Sequence, residues 1–341
     1  MAPPRQAHGG TRVKRLSILV ALLVLEISVF TALSGNRFET TQSLFVYLKS
    51  YLADLVAQSA PTLLLAFGMT IVLSTAGIDL SIGSMVALVS CVISSFPSGD
   101  AFWWTAVPAG LATALAAGVL NGLLIARLDV PPIIATLGTM IFYRGLCFVL
   151  MGDLEKSPFL DVPGYELLGQ FRGAAILTLL VFLLGGIYYT HSVWRREILM
   201  MGGNRIAARY AGIRVEKRTF QVYLLVGFLS FLAALAFTAR NGSVSASSLS
   251  GLELHVIVAV VLGGTKVQGG SGTILGTIFG VLFIAVLDEG LRGAAIWGGR
   301  HLPFRISHLE YVLLGLLLVL GVTFNNYLLT RTQNWVKTDH G

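Results

Sequence analysis

The chain has 341 residues, of which 55% are hydrophobic and only 12% charged, with a net charge of +7 and a mean hydropathy of +0.78. An ordinary soluble domain carries roughly twice that share of charge, so the composition excludes a soluble fold. The positive charges lie in short segments beside apolar runs, as membrane topology requires, which argues against nucleic acid as a partner and for membrane lipid.

Backbone inside a bilayer must satisfy its own hydrogen bonds, so spanning segments are helices or a closed barrel. Runs such as 16–33 and 176–189 are too long and too evenly apolar for barrel strands. The expected fold is therefore all-α: a polytopic helical membrane protein with about ten transmembrane helices, some broken near the core.

In chain order, residues 1–15 form a polar tail. Arg12, Lys14 and Arg15 precede an apolar run, as in a signal peptide, but that run is long and no small-x-small cleavage site ends it. It is read as the first transmembrane helix, 16–33. A polar linker extends to residue 51. The second span covers 60–75 and the third 80–95, with a glycine break between them. Trp103 and Trp104 fit an interfacial belt before the fourth span, 105–126. The fifth covers 133–150 and the sixth 173–190, separated by a loop with prolines and acids. A basic block, 191–218, follows. The seventh span is 219–238. The short eighth, 252–263, and the ninth, 273–287, flank a glycine-rich loop. Residues 288–308 are polar and amphipathic, the tenth span is 309–329, and 330–341 form a tail. The transmembrane domain thus extends over 16–329.

Ten spans place both termini on one side. That side collects the tail cations, Arg127, the basic block, Lys266, Arg331 and Lys337. The opposite side has fewer, although Arg292, Arg300 and Arg305 run against the trend. The excess assigns both termini and the 191–218 loop to the cytoplasm. Cys91 and Cys147 lie within apolar runs and are read as small buried hydrophobes.

Three elements stand out. In Thr75-Ala76-Gly77-Ile78-Asp79-Leu80-Ser81-Ile82-Gly83-Ser84, one acid sits at a break between apolar segments. A carboxylate there must be hydrogen-bonded or hydrated. Asp79 is expected to cap the helix that follows, with substrate or ion contact as the functional alternative. In the loop from Gly263 to Thr273, glycines suit a tight re-entry. It resembles a phosphate-binding loop superficially but lacks the Gly-Lys-Ser or Gly-Lys-Thr ending and the preceding strand. In the basic block, within Met200 to Ile213, residues Ala207, Ala208 and Tyr210 to Ile213 can form a short helix closed by Gly212, with Arg205 and Arg209 one turn apart on one face. Such a helix is either a docking surface for a soluble partner or a simple positive anchor. No catalytic set, cofactor motif or metal-ligand spacing emerges, and the six histidines are scattered. His255 with Glu253 is read as the interfacial end of the eighth span. Asp288, Glu289 and Arg292 are read as a salt-bridged surface patch.

At these elements the chain resembles the inner-membrane permeases of bacterial ATP-binding-cassette importers for monosaccharides, the ribose, arabinose, xylose and autoinducer-2 type. The resemblance covers about 55–329. It is carried by Gly68-Met69-Thr70 before the Gly77-to-Ser84 motif, by Asn121-Gly122, and by Pro132-Ile133-Ile134-Ala135-Thr136-Leu137-Gly138-Thr139. It continues through Gly202-Gly203-Asn204, Ala207-Ala208-Arg209 and Ala211-Gly212-Ile213 to Ala259-to-Thr265 and Gly269-Gly270-Ser271-Gly272. The resemblance implies a pore-forming subunit that is not itself an enzyme. Its partners would be two cytoplasmic ATPases, a second permease chain (self or sister) and a periplasmic sugar-binding protein. The substrate would be a monosaccharide or polyol. The loop from Asn204 to Ile213 would seat in the ATPase, with Arg205 and Arg209 as electrostatic anchors. Thr70, Ser81 and Ser84 become pore candidates, with Asp79 a structural support beside them. The alternative class is an ion-coupled secondary transporter of a small polar solute using Asp79 or Glu253.

Overall fold

The computed structural model describes residues 16–28, 41–152, 154–157, 162–298, 309 and 311–323, with the side chains of 41–43 and 293–298 left aside. The tails 1–15 and 330–341, the end of the tenth span and the segment around Arg300 and His301 lie outside the described residues.

The regular secondary structure of the described residues is helical, apart from one isolated bridge between Lys156 and Val244. The helices are α1 (Leu16–Ser28), α2 (Thr41–Ser74), α3 (Ile82–Ile93), α4 (Phe102–Ala126), α5 (Pro132–Met151), α6 (Glu166–Gly169), α7 (Phe171–Leu180), α8 (Gly186–His191), α9 (Val193–Gly203), α10 (Arg205–Tyr210), α11 (Val215–Asn241), α12 (Leu252–Leu262), α13 (Ile274–Gly298) and α14 (Tyr311–Thr323). A single π turn, Val181–Gly185, joins α7 to α8, so Phe171–His191 makes one continuous span.

Among the described residues, six helices are long and apolar enough to cross a membrane: α2, α4, α5, α7–α8, α11 and α13. The four shorter apolar helices α1, α3, α12 and α14 fall where the remaining expected spans lie. Two of these are informative. α3 has 12 residues and α12 has 11, so each rises only about 17 Å, little more than half of a roughly 30 Å hydrocarbon core. Both are enclosed by protein, as backbone interrupted at membrane depth must be. The expected glycine breaks are therefore real, but the third and eighth segments are half-length helices.

Two other boundaries differ from expectation. α2 begins at Thr41 and runs 34 residues through the expected linker, with Pro61 inside it. Hydropathy marks only the enclosed part of such a helix, because Lys49, Asp54 and Gln58 interrupt the apolar signal without interrupting the helix. α13 likewise continues to Gly298 and absorbs Asp288, Glu289 and Arg292 into a helix.

Burial separates the centre from the rim. The apolar window of α2 is 83% buried, whereas that of α7–α8 is 17% buried. α2 is the axial helix, packed by α11, α13 and α12, while α7–α8 presents its apolar surface outward, as lipid contact requires. α11 also packs along the length of α4. Their crossing is made by small residues at four-residue spacing, Ala114, Gly118 and Gly122 on α4, while Gly110 one turn earlier faces Ile93 of α3. A Cβ on Gly118 would stand 2.7 Å from the Tyr223 carbonyl and 3.1 Å from the Gly227 Cα. Such spacing lets two backbones approach and gain packing where lipid offers no hydrophobic drive.

Candidate functional site

The basic block folds as two short helices with clean ends. Ser192 Oγ accepts the Arg195 N–H (3.2 Å) at the start of α9, and Asn204 Oδ1 accepts the Ala207 N–H (2.9 Å) at the start of α10. α10 ends in a left-handed turn at Gly212 (φ +81°). The Ile213 N–H bonds the Ala208 carbonyl and the Gly212 N–H bonds the Arg209 carbonyl, both at 3.0 Å. Ile213 packs on buried Ala208 with Met201 and Val215. This is the Schellman arrangement with its hydrophobic contact, so the expected closure at Gly212 is present, while the helix itself starts earlier than expected and spans Arg205–Tyr210.

The two arginines turn toward their own chain. Arg209 Nη2 lies 2.6 Å from Glu216 Oε1, with both side chains about half exposed. Arg205 Nη2 donates to Thr219 Oγ1 at 3.4 Å. The large apolar residues of α10 both project outward, Ile206 at 65% and Tyr210 at 89% exposure. Sequence reasoning passed over this pair, although the i, i+4 spacing of two large apolar side chains on a short helix is a legible signal.

α9 joins this loop to the two helix breaks. Gly202 is wedged so tightly that a Cβ would meet the Ser74 carbonyl at the end of α2 and the Gly270 amide. Gly270 N–H donates to that same Ser74 carbonyl (3.1 Å). Gly269 in turn crowds the Gly202 carbonyl and Ala76. Three segments about seventy and 130 residues apart in sequence thus form one backbone-to-backbone junction. One turn above it, Thr70 Oγ1 lies 2.6 Å from Thr277 Oγ1, tying α2 to α13.

The break between α2 and α3 is held by side chains. Asp79, fully buried, accepts the Ser81 N–H (2.9 Å) and the Ser81 hydroxyl (2.6 Å) through Oδ1. Asn121 Nδ2 donates to Ser81 Oγ (2.8 Å), and Tyr143 OH bonds the Ala117 carbonyl (3.0 Å) beside it. Thr136 Oγ1 accepts the Leu80 N–H (3.1 Å) and contacts the Ile78 carbonyl (3.2 Å). Asp79 therefore secures the residue at the helix start rather than bonding the first-turn amides of α3. Ser84 is buried within α3. The motif residues Asn121 and Thr136 are brought to this one strand-like segment, which their sequence positions alone do not suggest.

Glu253, expected at an interface, lies against Gly83 in the first turn of α3, beside this same break. His255 Nε2 stands 3.7 Å from Asp288 Oδ2, both side chains largely enclosed. Glu289 and Arg292 form the expected exposed pair (3.7 Å), but Asp288 does not belong to it.

Residues 51–322 match the family described as branched-chain amino acid transport system / permease component. The chain is 37% identical over 281 residues to the ribose import permease protein of Escherichia coli K12, covering 80% of this chain and 84% of that protein. It is 33% identical over 310 residues to the fructose import permease protein of Bifidobacterium longum, covering 85% of each. It is 31% identical over 338 residues to the autoinducer 2 import system permease protein of Klebsiella pneumoniae, covering 94% of this chain and 93% of that protein. No solved structure matches. The chain belongs to this permease family, as a multi-pass inner-membrane protein. Membership favours the permease-subunit reading over the ion-coupled carrier.

Proposed function

We propose that this permease is the pore-forming subunit of an ATP-driven importer of a monosaccharide or related polyol. The observation that carries the reading is the match over nearly the whole membrane domain to permeases named for ribose, fructose and autoinducer 2 import. ATP is hydrolysed on two separate cytoplasmic subunits, a second permease chain completes the pore, and a periplasmic binding protein delivers the sugar. Both termini and the 191–218 loop face the cytoplasm.

α10 is the element that docks on the ATPase. Its exposed Ile206 and Tyr210 supply the apolar contact, with Arg205 and Arg209 as the charged flank. Movement of the ATPases displaces α10 and the attached α9. The Gly202 wedge leaves no slack between α9 and the ends of α2 and the 263–272 loop. Displacement therefore passes to α2 and α13, which Thr70 and Thr277 join. Thr70, Ser81 and Ser84 lie beside the moving breaks as polar groups that the pore exposes transiently, with Asp79 as their support.

A gentle-detergent pull-down of the tagged chain from its native cells, read by mass spectrometry, tests the assembly. An ATP-binding-cassette ATPase is expected with it. Its reproducible absence, alongside an intact control importer, would reject the reading. Ile206→Ser/Tyr210→Ser and Arg209→Glu should each lower ATPase recovery several-fold while leaving membrane insertion unchanged. Unaltered recovery in both would remove the docking role of α10.

A further inference from the structure

A cavity of about 400 Å³ opens between α2, α11, α12 and α13, within the roughly 300–1,000 Å³ of small-molecule sites. Its polar wall includes Gln58, Thr62, Arg240, Asn241, His255 and Asp288. Phe237 and Ile284 contribute an apolar face. Thr62 lies about three turns from Ser74 along α2, and Asp288 about three turns beyond Thr277 along α13. The cavity therefore occupies the half of the bundle opposite α10. None of Thr70, Asp79, Ser81 or Ser84 lines it.

Both arginines of this wall have carboxylate partners. Arg240 Nη2 is 3.1 Å from Asp54 Oδ1 and Arg292 Nε is 3.7 Å from Glu289 Oε2, while His255 stands 3.7 Å from Asp288. With its arginines held by carboxylates, the wall presents donors and acceptors suited to hydroxyl groups. His255 Nδ1 is fixed by the Gly251 carbonyl (3.0 Å), which directs Nε2 toward Asp288.

We propose that this cavity is a binding site for a neutral polyhydroxylated solute, held in the permease on its way from the delivery face to the helix breaks. The polar side chains take the hydroxyls, and Phe237 and Ile284 take the C–H face of the ring. The inference rests on the sugar-import reading and adds the site to it.

The test uses the full complex in its native cells, with D-ribose and D-fructose as the probes. Cys91 and Cys147 are buried and give no background. A membrane-impermeant maleimide should label Ser250→Cys from the periplasmic side, and saturating amounts of one sugar should slow labelling at least threefold. Ala285→Trp, which fills the cavity, should cut uptake of that sugar at least tenfold with ATPase recovery unchanged. His255→Gln should raise the sugar concentration for half-maximal uptake without altering ATPase recovery. Labelling that neither sugar slows in a complex that transports one of them overturns the site. So does wild-type uptake by Ala285→Trp, or failure to label because the second permease chain covers the cavity. A wild-type complex that imports neither sugar is a distinct result: it strikes the import reading itself, and the site falls with it.

Discussion

The two helix breaks solve one problem by different means. Between α2 and α3, side chains hold the interrupted backbone: Asp79, Ser81, Asn121 and Thr136 supply the partners that a regular helix would provide internally. Between α12 and α13, backbone approach does most of the same task, with Thr265 Oγ1 accepting the Thr273 N–H (3.4 Å) and Thr273 Oγ1 the Gly276 N–H (3.1 Å). Gly263 lies against Gly276, and Gly270 donates directly to the Ser74 carbonyl. A side-chain-held break tolerates any replacement that keeps an acceptor in place. A break made by backbone contact tolerates no added atom. The difference separates chemistry from space, and substitutions can separate them too.

The largest effect is expected at the junction that both breaks share. Gly202→Val forces a branched side chain against the Ser74 carbonyl and the Gly270 amide. Its cost should lie at or above the upper end of the roughly 1–3 kcal/mol of overpacked sites. The yield of monodisperse protein in detergent should collapse. A normal yield and thermal midpoint would mean that the junction is looser than its geometry. Next comes Asp79. Removing the carboxylate strands the buried Ser81 N–H, at a cost of about 1–3 kcal/mol. Asp79→Ala should lower the thermal midpoint and uptake, while Asp79→Asn, which keeps an acceptor, should recover most of both. Equal behaviour of Ala, Asn and wild type would erase the contrast between the two breaks.

Thr70→Val sharpens the comparison at the link between α2 and α13. It removes one buried hydroxyl contact in a nearly unchanged volume, and Thr277 keeps its bond to the Thr273 carbonyl (3.0 Å). A loss of about 1 kcal/mol is expected, with uptake falling more than stability because the link lies on the route from α10. Proportional losses in the two would assign Thr70 to packing alone. The smallest effect belongs to Glu216→Ala. Its pair with Arg209 is half exposed, and such pairs contribute about 0–1 kcal/mol. Thermal stability should hardly change, while the freed Arg209 leaves ATPase recovery equal or higher. A marked fall in recovery would make Glu216 itself part of the docking surface.

Much of this was legible in the residues. An acid at Asp79 amid apolar neighbours marks a break because the membrane interior tolerates it only with partners. Asn204 and Gly212 mark the ends of α10 because a side-chain cap and a left-handed closure each require particular residue types. The four-residue spacing of Ala114, Gly118 and Gly122 was also available, and it locates the α4–α11 crossing. The start of α2 was not legible by hydropathy, since Lys49, Asp54 and Gln58 lower the apolar signal in a helix that nonetheless continues. The part played by Asp288 was hidden for a related reason. Next to Glu289 and Arg292 it reads as surface charge, but a helix turns successive residues about 100° apart, and α13 points Asp288 toward His255.

The sequence by itself determined the class of protein, the places where helices break and the capped helix in the basic loop. Each of these is local: burial cost, periodicity and capping act within a few residues of one another. Only the tertiary structure decided that Ser74, Gly202 and Gly270 touch, that Asn121 and Thr136 serve the Asp79 break, and that His255 and Asp288 face a common cavity. Those contacts depend on how helices pack across the bundle. Packing is fixed by the summed fit of many side chains, which no single motif encodes.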